Sequence, residues 1–234
     1  MRVIVTGASR GIGYAVSRAF AKRGDTVFAT YKSTKDTLFR LAEEELAGKV
    51  IPVYCDVSDE QSVKRIFAEV GNVDILVNNA GIAQFALLSD ITGEDWDGML
   101  DTNLKSAFLC SREASKGMIR RGFGRIINIS SVWGIVGASC ESHYSASKAG
   151  LIGFTRALAK ELGPSGITVN CVSPGVIDTD MNAHLSAEDM RALCEETPLG
   201  KIGKPEDVAQ AVLFFADAAF VTGENLSVGG GFGM

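Results

Sequence analysis

Val3-Ile4-Val5-Thr6-Gly7-Ala8-Ser9-Arg10-Gly11-Ile12-Gly13 is the stretch on which the reading of this chain turns. A short β-branched run leads straight into a turn with the spacing G-x-x-x-G-x-G, and a helix-length stretch follows. Small residues at those positions let backbone N–H groups and the first turn of a helix come close to an anionic group, as where a pyrophosphate docks between a first strand and a first helix. The spacing is neither G-x-G-x-x-G nor that of a P-loop, but the physics is shared.

The rest of the chain repeats the alternation. Apolar runs of strand length recur at Val3 to Thr6, Val27 to Thr30, Val50 to Tyr54, Ile75 to Val77, Arg125 to Ile129 and Ile167 to Val172. Between them Gly13 to Lys22, Lys35 to Leu46 and Gln61 to Val70 carry apolar residues at helical spacing, with Asp59 as an N-cap for the third. Parallel neighbours need crossover helices, and strands apolar on both faces are covered on both. The fold class expected is α/β: a Rossmann-type, doubly wound parallel sheet of about seven strands with helices on both faces. No repeat or proline-rich linker divides the 234 residues, so one domain is expected. The polar stretch 181–205, with Pro198, Gly200, Gly203 and Pro205, follows the sixth strand and is read as a substrate lid.

Composition narrows the function. Glycine supplies 26 residues, but aperiodically and beside 46% hydrophobic residues, which excludes collagen and disorder. A net charge of −5 argues against non-specific binding to nucleic acid or anionic membrane. No apolar run approaches a membrane span and no signal peptide precedes Gly7; five cysteines scattered without metal-ligand spacing read as reduced thiols rather than disulfides or zinc ligands. A cytoplasmic protein without a metal is the expectation.

The second strand ends Ala29-Thr30-Tyr31-Lys32-Ser33, without the acidic residue that would bond a ribose 2′-hydroxyl and repel a 2′-phosphate. Arg10 and Lys32 can both reach a phosphate, so NADP (NADPH) is the expected cofactor. Downstream, Tyr144 and Lys148 stand four residues apart, on one face of a helix, thirteen residues after Ser131. Reducing a ketone by hydride needs a proton donor at the developing alkoxide and a hydrogen bond to hold the carbonyl. Tyr144 suits the first role and Ser131 the second. An ammonium at Lys148 is expected to draw the Tyr144 pKa down and to hold the nicotinamide ribose.

Together these residues resemble the short-chain dehydrogenase/reductase family over almost the whole chain. The resemblance implies cofactor contacts from Gly7, Ser9, Arg10, Gly11, Ile12 and Gly13, from Asp56-Val57 at the adenine, from Asn79, Ala80 and Gly81 in an N-N-A-G motif, and from Pro174, Gly175, Ile177 and Thr179 near the nicotinamide. It implies Asn103, Ser131, Tyr144 and Lys148 as the catalytic set, with Asn103 supporting a proton relay, and a homotetramer built on the helices carrying Asn103 and Tyr144 and on the Val221 to Gly231 strand.

Within the family, Gly124 to Ser131 and Val221-Thr222-Gly223 are most similar to reductases of 3-oxoacyl thioesters in fatty acid biosynthesis. Those commonly carry a basic residue where this chain has Ser165, and Arg120 and Arg121 form an alternative basic patch. The run Val132 to Glu141 resembles a second branch, the reductases of the 5-aminopentanone modification on elongation factor P, where Glu141 would pair with an ammonium. Trp133, Glu141 and His143 are the substrate-pocket candidates, each with a plain packing or solvated alternative. A dinucleotide-binding sensor or scaffold that no longer catalyses is the reading from another class, disfavoured because all four catalytic positions are retained.

Overall fold

The computed structural model describes residues 1–44, 46–182 and 185–233. Seven strands form one parallel sheet in the order β3-β2-β1-β4-β5-β6-β7. They are β1 (Arg2–Val5), β2 (Thr26–Tyr31), β3 (Lys49–Tyr54), β4 (Ile75–Asn78), β5 (Gly124–Ile129), β6 (Ile167–Pro174) and β7 (Asn225–Val228). The helices are α1 (Gly11–Arg23), α2 (Asp36–Glu43), α3 (Glu60–Val70), α4 (Gly93–Leu100), α5 (Ser106–Arg121), α6 (Trp133–Val136), α7 (Ser142–Leu162), α8 (Ala187–Glu196) and α9 (Pro205–Asp217). A π turn, Asp101–Lys105, joins α4 to α5.

Strand alternation builds two cores. Val3, Val5, Val27, Val77 and Ile127 point to one face, where Val16 and Phe20 of α1, Leu38 of α2, and Val212 and Phe215 of α9 cover them. Ile4, Phe28, Leu76 and Ile126 point to the other, under Val63 and Ile66 of α3, Leu109 and Met118 of α5 and Leu162 of α7. Every one of these side chains is at least nine-tenths buried. That is why the strands read as continuous apolar runs.

Asp59 caps α3 as its sequence predicts, accepting from the N–H groups of Gln61 and Ser62 at 3.1 Å. The helix predicted to Leu46 stops at Glu43, and Glu44 is already extended at ψ 137°. Tertiary docking overrides the local pattern here. Gly48 donates to the Ala21 carbonyl at 2.8 Å and a Cβ on it would meet the Asp25 carbonyl at 2.0 Å, so the chain must leave the helix early to seat this glycine on the end of α1.

The strand order reverses between β1 and β4, which opens a crevice at their C-terminal ends. The turn after β1, the Asn79–Gly81 segment after β4 and the chain after β5 and β6 all emerge on that side.

Candidate active site

Thr6 organises the crevice. Its Oγ1 accepts from the N–H groups of Asn79 and Ala80 at 2.9 and 3.0 Å, while Asn79 Nδ2 donates back to the carbonyls of Thr6 and Gly7 at 2.9 and 3.0 Å. The two loops that flank the switch point are thereby one unit. Gly7 and Gly11 hold φ of +62° and +53°, the left-handed region that favours glycine. At Gly13 the constraint is space: a Cβ would lie 2.4 Å from the Gly7 carbonyl and 2.5 Å from Asn79 Nδ2. The N-cap of α1, Arg10, makes no side-chain cap and the first turn carries no acid, which leaves the helix N–H groups to an anion. A tight turn, an uncapped helix start and room kept by glycine fit a dinucleotide pyrophosphate.

At the adenosine end, Lys32 Nζ lies 2.7 Å from Asp56 Oδ2, and the ammonium helps hold the Asp56 carboxyl below the usual range against the opposing effect of burial. Arg10 and Asp180 are 3.8 Å apart and both exposed. Lys32 and Arg10 are thus both exposed cations, each beside a carboxylate. Val57 is buried next to Asp56, Ile177 is buried, and Thr179 faces the turn, since a Cβ on Gly11 would come 3.2 Å from its Cγ2.

A second cluster lies beside Gly81. A Cβ at Gly81 would sit 3.2 Å from Asn103 Oδ1 and 3.4 Å from Lys148 Nζ, so the three positions meet. Asn103 occupies the π turn, 1% exposed. Its Oδ1 accepts from Ile82 N at 2.8 Å, and its Nδ2 donates to Ile82 O at 2.9 Å and to Ser147 Oγ at 3.0 Å. Single π turns interrupt helices at the cost of regular bonding and cluster at functional sites. Here it turns an asparagine side chain onto the loop that leaves β4 and onto α7.

The buried α7 positions His143, Tyr144, Ser147 and Lys148 carry the rest. Ser131, two residues past β5, stands near enough to the Tyr144 hydroxyl to oppose the rise of its pKa. Trp133 N donates to Ser131 Oγ at 3.2 Å, which leaves the serine proton for the tyrosine side. Lys148 Nζ donates to the Ile129 carbonyl at 2.9 Å and lies 5.7 Å from the Tyr144 ring centroid. Across the sheet, Asn78 Nδ2 donates to Asn128 Oδ1 at 2.8 Å and Asn128 Nδ2 to Thr155 Oγ1 at 2.8 Å, a buried chain that ties β4 and β5 to α7.

The expected lowering of Tyr144 by Lys148 is not what the site shows. Burial pushes the phenol up to about 12, with the Ser131 hydrogen bond opposing and the Glu141 charge adding to the rise. Burial also pushes the Lys148 ammonium down from 10.5 to about 8. Desolvation is the largest influence on each group.

The family model for enoyl-(acyl carrier protein) reductase matches residues 7–233. A 3-oxoacyl-(acyl-carrier-protein) reductase of Vibrio cholerae is 43% identical over 235 residues, 99% of this chain and 96% of that one. The chain belongs to the short-chain dehydrogenase/reductase family. The 3-oxoacyl-(acyl-carrier-protein) reductase of Escherichia coli is 41% identical, again over 99% of this chain and 96% of its own. Among solved structures, a reductase of the same description from Brucella melitensis superposes with a TM-score of 0.94 at 36% identity, covering all of this chain and 91% of that one. Another Brucella melitensis reductase structure, with bound NAD, gives a TM-score of 0.91 at 35% identity, covering 100% and 91%.

Of the substrate-pocket candidates of this short-chain reductase, His143 is fully buried, with Nε2 3.2 Å from Gln84 Oε1 and Nδ1 without a hydrogen-bond partner among the described residues. Trp133 is half-buried and stacks edge-on against Phe232. Glu141 is half-buried and acts on Tyr144 through its charge. Residues the sequence does not single out are Thr6, Ile82, Ser147 and Phe232, whose roles come from partners distant in the chain. In the 181–205 segment, residues 183 and 184 lie outside the described ones; α8 is capped by a Ser186–Asp189 box and buries no residue. Among the described residues no group of three metal-ligating side chains forms.

Proposed function

We propose that this chain reduces a 3-oxoacyl thioester to the 3-hydroxyacyl form with NADPH. The observation that carries the reading is the convergence of Tyr144 and Ser131 beside Lys148 and Asn103, on a crevice whose glycine turn fits a dinucleotide. Bound, the reduced nicotinamide supplies the hydride that reaches the ketone carbon. Ser131 donates a hydrogen bond to the carbonyl oxygen and orients it while keeping its proton, since its lone pair already accepts from Trp133 N–H. Tyr144, held protonated by burial, gives its proton to the alkoxide. Lys148, lowered to about 8, then stands within working range to return a proton toward Tyr144, and Asn103 and the Ile129 carbonyl fix the path.

Two catalytic donors aimed at one oxygen suit a ketone better than a carbon–carbon double bond. The relatives of known function are reductases of 3-oxo groups, which favours this substrate over an aminoketone and over a role without catalysis. Arg10 and Lys32 at the rim support NADPH over NADH. The reading takes the chain as cytoplasmic and homotetrameric, with a carrier-bound substrate and 181–205 as its lid. In support, no described helix is long and apolar enough to cross a membrane, and Phe108 and Ile119 on α5 and Phe214 and Leu226 near the β7 edge are exposed apolar side chains on two separate faces.

NADPH oxidation is followed at 340 nm, the absorbance of the reduced nicotinamide, with an acetoacetyl thioester. Turnover with a kcat/KM for NADPH above that for NADH supports the reading. No turnover on any 3-oxoacyl thioester overturns it.

A further inference from the structure

Residues 229–233 touch three separate pieces of the site. Gly175 N donates to the Val228 carbonyl at 3.0 Å and a Cβ at Gly175 would lie 2.6 Å from Gly229 Cα, so the chain after β6 rests directly on this run. Leu199 N donates to the Gly230 carbonyl at 3.1 Å, and side chains at Gly230 and Gly231 would strike Thr197 at 2.9 Å and Pro198 at 2.7 Å. Phe232, 6% exposed, then meets Trp133 edge to face, ring centroids 5.3 Å apart at 69°. A Cβ on Gly233 would lie 2.5 Å from Val132 Cγ2. Glycine at four of these five positions lets backbone pass where side chains could not. The exception, Phe232, is the one side chain inserted.

We propose that Phe232 is a positioning residue for the ketone. Its ring fixes Trp133, whose backbone N–H orients Ser131, while Gly230 and Gly231 fix the point where the 187–199 segment returns to the body of the protein. The ring pair contributes through geometry: with Phe232 removed, Trp133 gains rotamers, and the serine and the returning segment lose a common reference. Binding of the dinucleotide, built on the β1 turn and on Lys32 and Asp56, does not depend on the pair. The proposal rests on the reductase reading above.

The full chain is compared with Phe232→Ala, Phe232→Leu and Phe232→Tyr, measuring kcat and KM for an acetoacetyl thioester, the NADPH dissociation constant, and amide exchange at Trp133 and Leu199. An edge-to-face pair of this kind corresponds to about a fivefold effect. Phe232→Ala is expected to raise KM for the thioester by about that factor, to leave NADPH binding within about twofold, and to speed exchange at both amides. Phe232→Tyr keeps the ring and restores all three values. Trp133→Ala reproduces the loss, and the double variant adds nothing to it. If Phe232→Ala fails to fold, Phe232→Leu decides by the same readouts. An unchanged KM in a folded variant, a loss that tyrosine does not restore, or additive single effects overturn the proposal. A wild-type chain that reduces no ketone overturns the reductase reading instead, and exchange at Trp133 and Leu199 still decides this one: unchanged protection in Phe232→Ala refutes it.

Discussion

Lys32 Nζ sits 2.7 Å from Asp56 Oδ2, so the cation we assign to a 2′-phosphate is already paired with a carboxylate. The pair is exposed on the lysine side, and an exposed ion pair holds its partners only weakly. A phosphate competes for the ammonium with two charges against one.

On that assignment cofactor preference is set by a contest, and both sides of it can be altered. Lys32→Ala is expected to raise KM for NADPH by about tenfold and to leave NADH within about twofold. Asp56→Asn frees the ammonium and sharpens the preference for NADPH. Steady-state kinetics with the two cofactors check both; equal losses for NADH and NADPH in Lys32→Ala would show that the lysine holds something other than the phosphate.

Tyr144→Phe removes the proposed proton donor while keeping the buried ring. The turnover number is expected to fall by about a thousandfold while NADPH binding, read by nucleotide fluorescence, stays near wild type. Ser131→Ala should cost about a hundredfold. A Tyr144→Phe enzyme that keeps a tenth of its activity would move proton donation to another group.

Lys148 is buried with no carboxylate beside it among the described residues, and its pKa is lowered from 10.5 to about 8. A base lowered on folding costs stability wherever both states would hold the proton, below about 8, and the cost fades as pH rises from there toward 10.5. Lys148→Met is thus expected to raise Tm by about 3 °C at pH 7, to lose that gain by pH 10, and to abolish turnover. Thermal unfolding across that pH range tests the sign. In the wild type the same titration is expected to make ketone reduction fall as pH passes about 8, where the ammonium is lost, and a pH profile of kcat checks it.

Two glycine substitutions of the same size should act in opposite directions. Gly13→Ala forces a methyl to within 2.4 Å of a carbonyl and should cost about 3 kcal/mol, with loss of NADPH binding. Gly153, inside α7, has nothing within 4 Å of a Cβ, and Gly153→Ala should stabilise by about 0.5–1 kcal/mol without changing kinetics. Urea midpoints of the two variants decide.

The sheet is legible in the sequence because each strand is apolar on both faces, so that Val3, Ile4 and Val5 read as one run although they serve two cores. The glycine turn is legible because its constraint is local. Asn103 is not: its partners Ile82 and Ser147 lie 21 and 44 positions away, and only the family resemblance marks it. The direction of the Tyr144 and Lys148 shifts is hidden for a related reason, since spacing along a helix says which groups are neighbours but not how much water remains around them. His143 lies in a stretch read as substrate pocket with a packing alternative, and its complete burial is set by contacts the sequence does not show.

The π turn at Asp101–Lys105 has a rotational meaning. A regular helix advances about 100° per residue, so the extra residue that widens this turn sets α4 and α5 out of phase by about that angle. Deleting one residue from it would leave a continuous helix of ordinary pitch that could seat the apolar side of α4 or that of α5, but not both, and the amide of Asn103 would leave Ile82 whichever side won.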